Sequence, residues 1–210
     1  MKLRSFLLAG CIGAVSVSAM AADRMPPLAP ETLTAAQKNA IDLVAKSVPP
    51  GGSPRSIGTS VLLRDPELLN RLQDTGAYLR YHAGLEPRLA EFVILMTLRH
   101  WSNQNEWHAH EKLAPKAGLS STLIRALAEG QRPVGMPSDE EALYDFFDEL
   151  HRNKSVSDAT YQRVHQKWGD RGVIDFVALD GYYATLAAVF NVAQTPLPAG
   201  VPAPLPSLPR

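Results

Sequence analysis

The sequence predicts an all-α, single-domain helical bundle, and three observations support that prediction. Apolar residues recur at helical spacing along most of the chain. Helix-capping residues precede these segments, and glycines follow several of them. No segment shows convincing alternation of apolar and polar residues, the pattern typical of a strand. With 210 residues, of which 45% are hydrophobic and 20% charged, the chain is long enough to bury one sizeable core.

The charge composition argues against two classes of partner. The chain has 21 basic and 21 acidic residues, a formal net charge of +0, and no basic run. Nucleic acids and anionic membrane surfaces attract clusters of positive charge. We therefore expect no nucleic-acid partner and no membrane partner for the mature chain.

Residues 1–21 are typical of a secretory signal peptide. A short basic start precedes a mostly small, apolar stretch at residues 6–17, and Ala19-Met20-Ala21 fits a cleavage site. We expect an exported, periplasmic protein that begins near Ala22. The alternative is a lipoprotein signal at Cys11, although only a few apolar residues precede it. Cys11 is the single cysteine, so cleavage after Ala21 would leave no thiol for a disulfide, a nucleophile or a metal ligand.

Local signals predict the helices before the centre of the chain. Thr34 and Gln37 have the spacing of a capping box for a helix at residues 35–47. Its expected apolar face consists of Ile41, Val44 and Ala45. Residues 48–60 contain three prolines and three glycines, which predicts a loop. Asp65-Pro66 is expected to open a helix that runs to about His82.

Glu86-Pro87 repeats the arrangement of Asp65-Pro66 and predicts a helix to about Trp101. Its almost unbroken apolar run indicates burial on most sides, so it is the predicted central helix. Polar residues 102–105 then interrupt the pattern. Asn103 with Glu106 has the spacing of a capping box for a new helix that ends at Gly118.

Serine residues predict the caps of three later helices. These caps are Ser120 for a helix to Gly130, Ser138 with Glu141 for residues 139–152, and Ser157 for residues 158–168, which Gly169 ends. The last predicted helix, residues 172–193, contains Asp175 and Asp180 and is therefore interpreted as buried rather than membrane-spanning. Residues 195–210 include six prolines and are expected to be extended, either loose or laid on a neighbour. The predicted segments after the signal peptide are an N-terminal helix and loop at 22–59, a helical domain at 60–194, and this tail.

Candidate chemistry concentrates at residues 87–119, where Glu91, Asn103, Glu106 and His110 lie. At about 100° per residue, the last three share one face of a helix. The N-terminus of that helix offers free N–H groups and a favourable dipole, so a carboxylate could dock there. Other candidates for substrate binding are Arg80, Arg88, Arg99 and Trp107, and the sequence does not choose among the arginines.

Each candidate also has a structural interpretation. Asn103 and Glu106 could serve only as a cap, and Trp101 and Trp107 could belong only to the core. His110 could be a core histidine bonded to Glu91. His108 lies two residues from His110, so the two rings point to different sides of a helix, and no third ligand has suitable spacing. We therefore predict no metal and no cofactor.

The segment RLAEFVILMTLRHWSNQNEWHAHEKLAPKAGLS resembles the core motif of the carboxymuconolactone decarboxylase and alkylhydroperoxidase D-like superfamily. LLRDPELLNRLQDTGAYLRYHAGL and TYQRVHQKWGDRGVIDFVALDGYYATLAAVFNVAQTPLP extend this likeness over most of residues 60–198. The redox branch has two cysteines after its glutamate, and counting from Glu91 places Asn103 and Glu106 at their positions. The resemblance therefore implies the helical scaffold, a homo-oligomer (a dimer, trimer or hexamer), and a proton-handling pair of Glu91 and His110. Thiol peroxidase activity is disfavoured.

Two functional hypotheses follow. The first is a cofactor-free lyase or isomerase that acts on a small carboxylated lactone: His110 donates a proton, Glu91 orients its ring, and N–H groups near residues 104–106 hold an oxyanion. The second is a non-catalytic helical protein that binds a partner or assembles. A polar pocket around Glu91 and His110 would favour the first, and a dry, packed motif the second.

Export is the first testable prediction. N-terminal sequencing of the protein purified from its native host should give a start near Ala22, because the cleavage motif ends at Ala21. A retained Met1 would contradict it.

Overall fold

The computed structural model describes residues 23–47 and 61–207, and this part of the chain is helical with no strand. The all-α prediction is therefore confirmed. The α-helices are α1 (Ala35–Ser47), α2 (Pro66–Ala77), α3 (Pro87–His100), α4 (Gln104–Leu113), α5 (Ser121–Ala128), α6 (Ser138–Asn153) and α7 (Asp158–Ala193). The predicted signal peptide and the predicted loop at residues 48–60 lie outside the described residues.

α3 is the central helix, as its sequence predicted. It packs against α4, α5, α6 and α7. Five of its apolar side chains are fully enclosed: Phe92, Val93, Ile94, Leu95 and Leu98, each 0% exposed. Four surrounding helices explain why its apolar run is nearly continuous, since almost every direction from the helix axis meets protein.

Several predicted caps form. At α1, the Gln37 N–H donates to the Thr34 hydroxyl at 3.2 Å and the Thr34 N–H donates to the Gln37 side chain at 2.9 Å, which completes the capping box. Asp65 accepts the Leu68 N–H at 3.0 Å at the start of α2. The predicted helix to His82 also exists, but its last five residues, Tyr78–His82, wind as a π-helix.

Two predicted caps lack the expected side-chain hydrogen bond: Glu86 is the N-cap residue of α3 and is followed by proline as predicted, whereas Pro137, not Ser138, is the N-cap residue of α6. Glu86 makes no capping hydrogen bond with its side chain, and its carboxylate accepts instead from Arg88 Nε at 3.1 Å. Ser138 lies inside α6, and its hydroxyl accepts from Lys167 Nζ at 3.2 Å. In both cases a cationic side chain competes with the backbone N–H groups for the same oxygen.

The apolar face predicted for α1 is also partly wrong. Ala40 and Val44 are buried, whereas Ile41 is 37% exposed and Ala45 is exposed as well. α1 contacts α2, and one neighbouring helix covers only a narrow stripe. Residues four apart, such as Ala40 and Val44, line up along that stripe.

α7 contains the predicted break at Gly169. The backbone there has φ 65° and ψ −176°, so two helical segments meet at this residue. α7 is the one described helix that is long and apolar enough to cross a membrane, and half of its most apolar window is buried within the protein. Asp175 is 6% exposed. α7 also packs against α3, which agrees with the interpretation of α7 as a core helix.

The proline-rich tail lies on α4 of its own chain. Leu205 is 3% exposed, its N–H donates to the Gln104 side chain at 2.9 Å, and its carbonyl accepts from Gln104 Nε2 at 3.0 Å. Asn105 Nδ2 donates to the Thr195 carbonyl at 2.6 Å. The first turn of α4 therefore binds the described part of the tail at two points, Thr195 and Leu205.

A matched pair of glycine substitutions tests the packing of α2 on α7. A Cβ added at Gly76 would lie 2.4 Å from the Tyr182 hydroxyl and 2.6 Å from its ring, whereas one at Gly181 would meet nothing within 4 Å. Tyr182 is 6% exposed, so its ring has little room to move. We expect Gly76→Ala to destabilise the fold by about 1–3 kcal/mol.

Gly181→Ala should stabilise α7 by about 0.5–1 kcal/mol, because alanine is the better helix former. Urea unfolding followed by circular dichroism measures both variants. Equal stability of the two would contradict the close contact between α2 and α7.

Candidate functional site

The candidate site forms where α3 and α4 meet. The link between the two helices is short because Ser102 adopts a left-handed conformation, φ 47°, and the Asn103 N–H donates back to the Leu98 carbonyl at 3.0 Å. This turn folds α4 against α3. Glu91 on α3 and His110 on α4, far apart in sequence, thereby become neighbours.

Glu91 and His110 form a buried pair. His110 Nδ1 lies 2.6 Å from Glu91 Oε2, and the two residues are 4% and 6% exposed, respectively. An ionised carboxylate can only accept hydrogen bonds, so the proton of the ring belongs on Nδ1 in this arrangement. That contact leaves Nε2 as the ring nitrogen able to exchange a proton with another group.

Two further charged groups adjoin this pair. Arg80 Nη2 lies 3.6 Å from Glu91 Oε1, and Glu106 Oε2 lies 3.8 Å from His110 Nε2. The ring of Tyr183 meets the His110 ring edge to face, with 4.9 Å between centroids. The structure thus brings four predicted residues close to one another: Glu91, Glu106, His110 and Arg80. Tyr183, which comes from α7, was not predicted, because no motif or spacing links it to His110.

Asn103 has a structural role in this site. Its Oδ1 accepts the Glu106 N–H at 2.9 Å, and its Nδ2 donates to the Ala187 carbonyl at 3.2 Å and to Asn191 Oδ1 at 2.8 Å. Asn103 therefore caps α4 and joins it to α7. The Glu106 N–H, predicted to help hold an oxyanion, is already bonded in this arrangement.

The two tryptophans differ. Trp107 is 1% exposed and donates from Nε1 to Glu111 at 3.2 Å, which places it in the core. Trp101 is 40% exposed, so its predicted core position is wrong. Trp101 is the C-cap residue of α3, where the chain turns into the link to α4.

The two histidines of the His-Ala-His sequence face different partners, as the helix geometry predicted. His108 lies 3.2 Å from Glu111 through Nδ1 and 2.7 Å from Lys112 Nζ through Nε2, whereas His110 faces Glu91. Among residues 23–47 and 61–207, no group of three or more His, Cys, Asp or Glu side chains is arranged to hold a metal ion.

The three candidate arginines have three different environments. Arg80 contacts Glu91. Arg88 is paired with Glu86, Asp139 and Glu140, so its charge is already neutralised. Although burial alone would lower the pKa of Arg88, these carboxylates raise it. Arg99 is 5% exposed, and none of its three guanidinium nitrogens has a hydrogen-bond partner among the described residues.

Comparisons with known proteins do not extend this description. No protein-family model matches the chain, and no curated protein matches it. The resemblance described above therefore depends on the quoted segments of sequence alone.

Substitution of Arg88 tests whether this arginine stabilises the fold. Arg88→Met would leave Glu140, which is 4% exposed, without its cation. We expect a loss of about 3–5 kcal/mol at neutral pH, the usual result of leaving a buried charge unpaired. Arg71→Met, which breaks the exposed pair with Glu67, is the control and should have a small effect.

The effect of Arg88→Met should also depend on pH. Burial by itself would raise the pKa of Asp139, but Arg88 lowers it below its ordinary value. The carboxylate therefore stabilises the fold above its unfolded-state pKa, and this contribution disappears as pH falls through the lower folded-state pKa. Urea unfolding at neutral pH and near pH 3 should show a smaller difference between wild type and Arg88→Met in acid. A constant difference would contradict the assigned ion pair.

Proposed function

We propose that this protein is a cofactor-free proton-transfer lyase or isomerase that acts on a small carboxylated, lactone-type substrate. The observation that carries the proposal is the 2.6 Å contact between His110 Nδ1 and Glu91, buried between α3 and α4. A carboxylate that fixes one ring nitrogen leaves the other free for acid–base work. The resemblance to carboxymuconolactone decarboxylases supports the same pair.

The proposed reaction is a decarboxylation followed by protonation at carbon. The bond between the substrate carbon and its carboxylate breaks, CO₂ leaves, and the electron pair moves through the unsaturated lactone onto the ring carbonyl oxygen. Protonated His110 then gives its Nε2 proton to the substrate carbon, and the carbonyl re-forms. His110 becomes neutral and regains a proton from solvent. The atoms and charges balance without an added reductant or oxidant.

Arg80 is the cation proposed to assist this reaction. Its guanidinium lies 3.6 Å from Glu91 Oε1, a distance too long for a normal hydrogen bond, and among the described residues we assign its N–H groups to an incoming anion. The Arg80 side chain is 14% exposed. Positive charge at this point favours both a substrate carboxylate and an oxyanion. Glu106, 3.8 Å from His110 Nε2, is the second carboxylate that can hold the imidazolium.

One observation favours the second candidate, a non-catalytic binding or assembly protein. His110 and Glu91 are nearly enclosed, and the His110 ring packs at about a right angle to the Tyr183 ring. A buried, hydrogen-bonded pair can have a purely structural role, in which each side chain satisfies the polar atoms of the other. In that case the pair would stabilise the junction of α3 and α4.

Paired measurements of turnover and stability separate the two candidates. A panel of unsaturated lactone acids supplies the substrate, with CO₂ release and loss of absorbance as readouts. We expect His110→Gln to lower turnover by about 10²–10⁴-fold, the usual contribution of a general acid, with only a small change in Tm. Glu91→Gln should lower turnover less, because it misorients the ring without removing it.

His108→Gln is the matched control, because His108 lies on the same helix but faces Glu111 and Lys112. It should retain wild-type turnover. The structural candidate predicts the reverse pattern: loss of about 1–3 kcal/mol of stability in His110→Gln and Glu91→Gln, each of which leaves a buried partner unsatisfied. Normal turnover in a destabilised His110→Gln protein would reject the catalytic role.

A further inference from the structure

Arg99 is a buried cation whose guanidinium has no hydrogen-bond partner in the described part of the chain. It is 5% exposed, and its Nε, Nη1 and Nη2 atoms make no hydrogen bond among the described residues. Arg88, also largely enclosed, is paired with three carboxylates. A guanidinium has five N–H donors, and burying them unpaired is strongly unfavourable. Burial accordingly lowers the pKa of Arg99, with no carboxylate offsetting that effect.

A cavity of about 160 Å³ adjoins Arg99, between the last turns of α3, the end of α5 and the face of α6. This volume is far above the roughly 10–15 Å³ that one water molecule needs. The wall includes Arg152, whose side chain is 72% exposed, so the cavity can be reached from solvent. Neither Glu91 nor His110 is part of this wall, so the cavity is separate from the proposed catalytic pair.

The other charged groups of the wall already have partners. Arg152 and Asp148 form an ion pair with each other at 2.9 Å. His151 Nε2 lies 2.8 Å from Asp180 Oδ1, and its ring stacks on His100 at 4.4 Å. Burial, followed by the nearby charges of His151 and Lys154, lowers the pKa of His100 and so favours its neutral form. Among the described residues that line the cavity, Arg99 therefore carries the one positive charge that is not paired.

The shape and lining of the cavity indicate the chemistry of its ligand. A planar guanidinium matches the two oxygens of a carboxylate. A single unbalanced positive charge suits a monoanion better than a dianion such as hydrogen phosphate. Met96, Leu127 and the Tyr144 ring also line the cavity, and they offer apolar contact to an organic group.

We propose that the cavity beside Arg99 binds a small organic monocarboxylate, whose two oxygens accept hydrogen bonds from the Arg99 guanidinium. This site is independent of the proposed function, because it does not require Glu91 or His110 to act in catalysis. A small acid bound here neutralises the buried charge and stabilises the junction of α3, α5 and α6.

Isothermal titration calorimetry of the full mature chain with sodium benzoate tests the proposal, with benzamide as the neutral analogue and inorganic phosphate as the multivalent anion. We expect benzoate to bind more tightly than either. Arg99→Met should weaken benzoate binding by about tenfold or more, because the charged hydrogen bonds are lost. Arg71→Met, at an exposed arginine outside the cavity, should bind benzoate like wild type.

The ligand-free stability of Arg99→Met provides a second readout. The Tm should equal or exceed that of wild type, because methionine removes an unpaired buried charge. Arg99→Lys keeps the charge but lacks the planar fork, and it should also bind benzoate more weakly. This variant decides the question if Arg99→Met does not fold.

Several outcomes would overturn the proposal. One is the absence of benzoate binding to wild type up to about 10 mM, a concentration that detects even weak sites. Another is equal affinity in wild type, Arg99→Met and Arg99→Lys. Benzoate binding to Asp148→Asn but not to wild type would show that Asp148 itself neutralises Arg99. A change of oligomeric mass in Arg99→Met without benzoate binding would assign the partner carboxylate to a second copy of the chain.

Discussion

The enclosure of α3 is the constraint on which the rest of the structure depends. Four helices pack around it, and its apolar side chains are buried, five of them completely. A helix in this position satisfies its own backbone through its internal hydrogen bonds. Its buried charged side chains, Glu91 and Arg99, cannot be satisfied by that backbone pattern and are largely shielded from water. Each one must therefore find a partner on a neighbouring helix or bear the free-energy penalty of burial.

Three polar residues of α3 meet this requirement in different ways. Thr97 donates back to the Val93 carbonyl at 2.9 Å and contacts Asp180 of α7 at 2.5 Å. Glu91 is satisfied by His110 and lies close to Arg80. Arg99 finds no protein partner among the described residues. The proposed catalytic pair and the proposed anion site are thus two consequences of placing charged residues on one enclosed helix.

Local interactions explain why much of the fold could be predicted from the sequence. A cap such as Asp65 with Leu68 involves residues three apart, and a helix stop such as Gly169 acts through its own backbone. The wrong predictions have the opposite character. Glu86 and Ser138 bind cationic side chains instead of backbone N–H groups, and the exposure of Ile41 and Trp101 depends on where neighbouring helices end. Residue type and spacing do not contain that information.

For the candidate site, the sequence by itself determined the all-α class, the central helix, the break after it, and the choice of Glu91, Glu106 and His110 as candidates. Only the tertiary structure decided how the three arginines differ. Arg80 lies 3.6 Å from Glu91, Arg88 meets Asp139 and Glu140 from α6, and Arg99 is enclosed beside a cavity. The physical reason is that the free energy of a charged side chain depends on the groups packed around it, and helix packing determines which groups these are. A sequence specifies that an arginine is present, whereas the packing of helices specifies whether its charge is already paired.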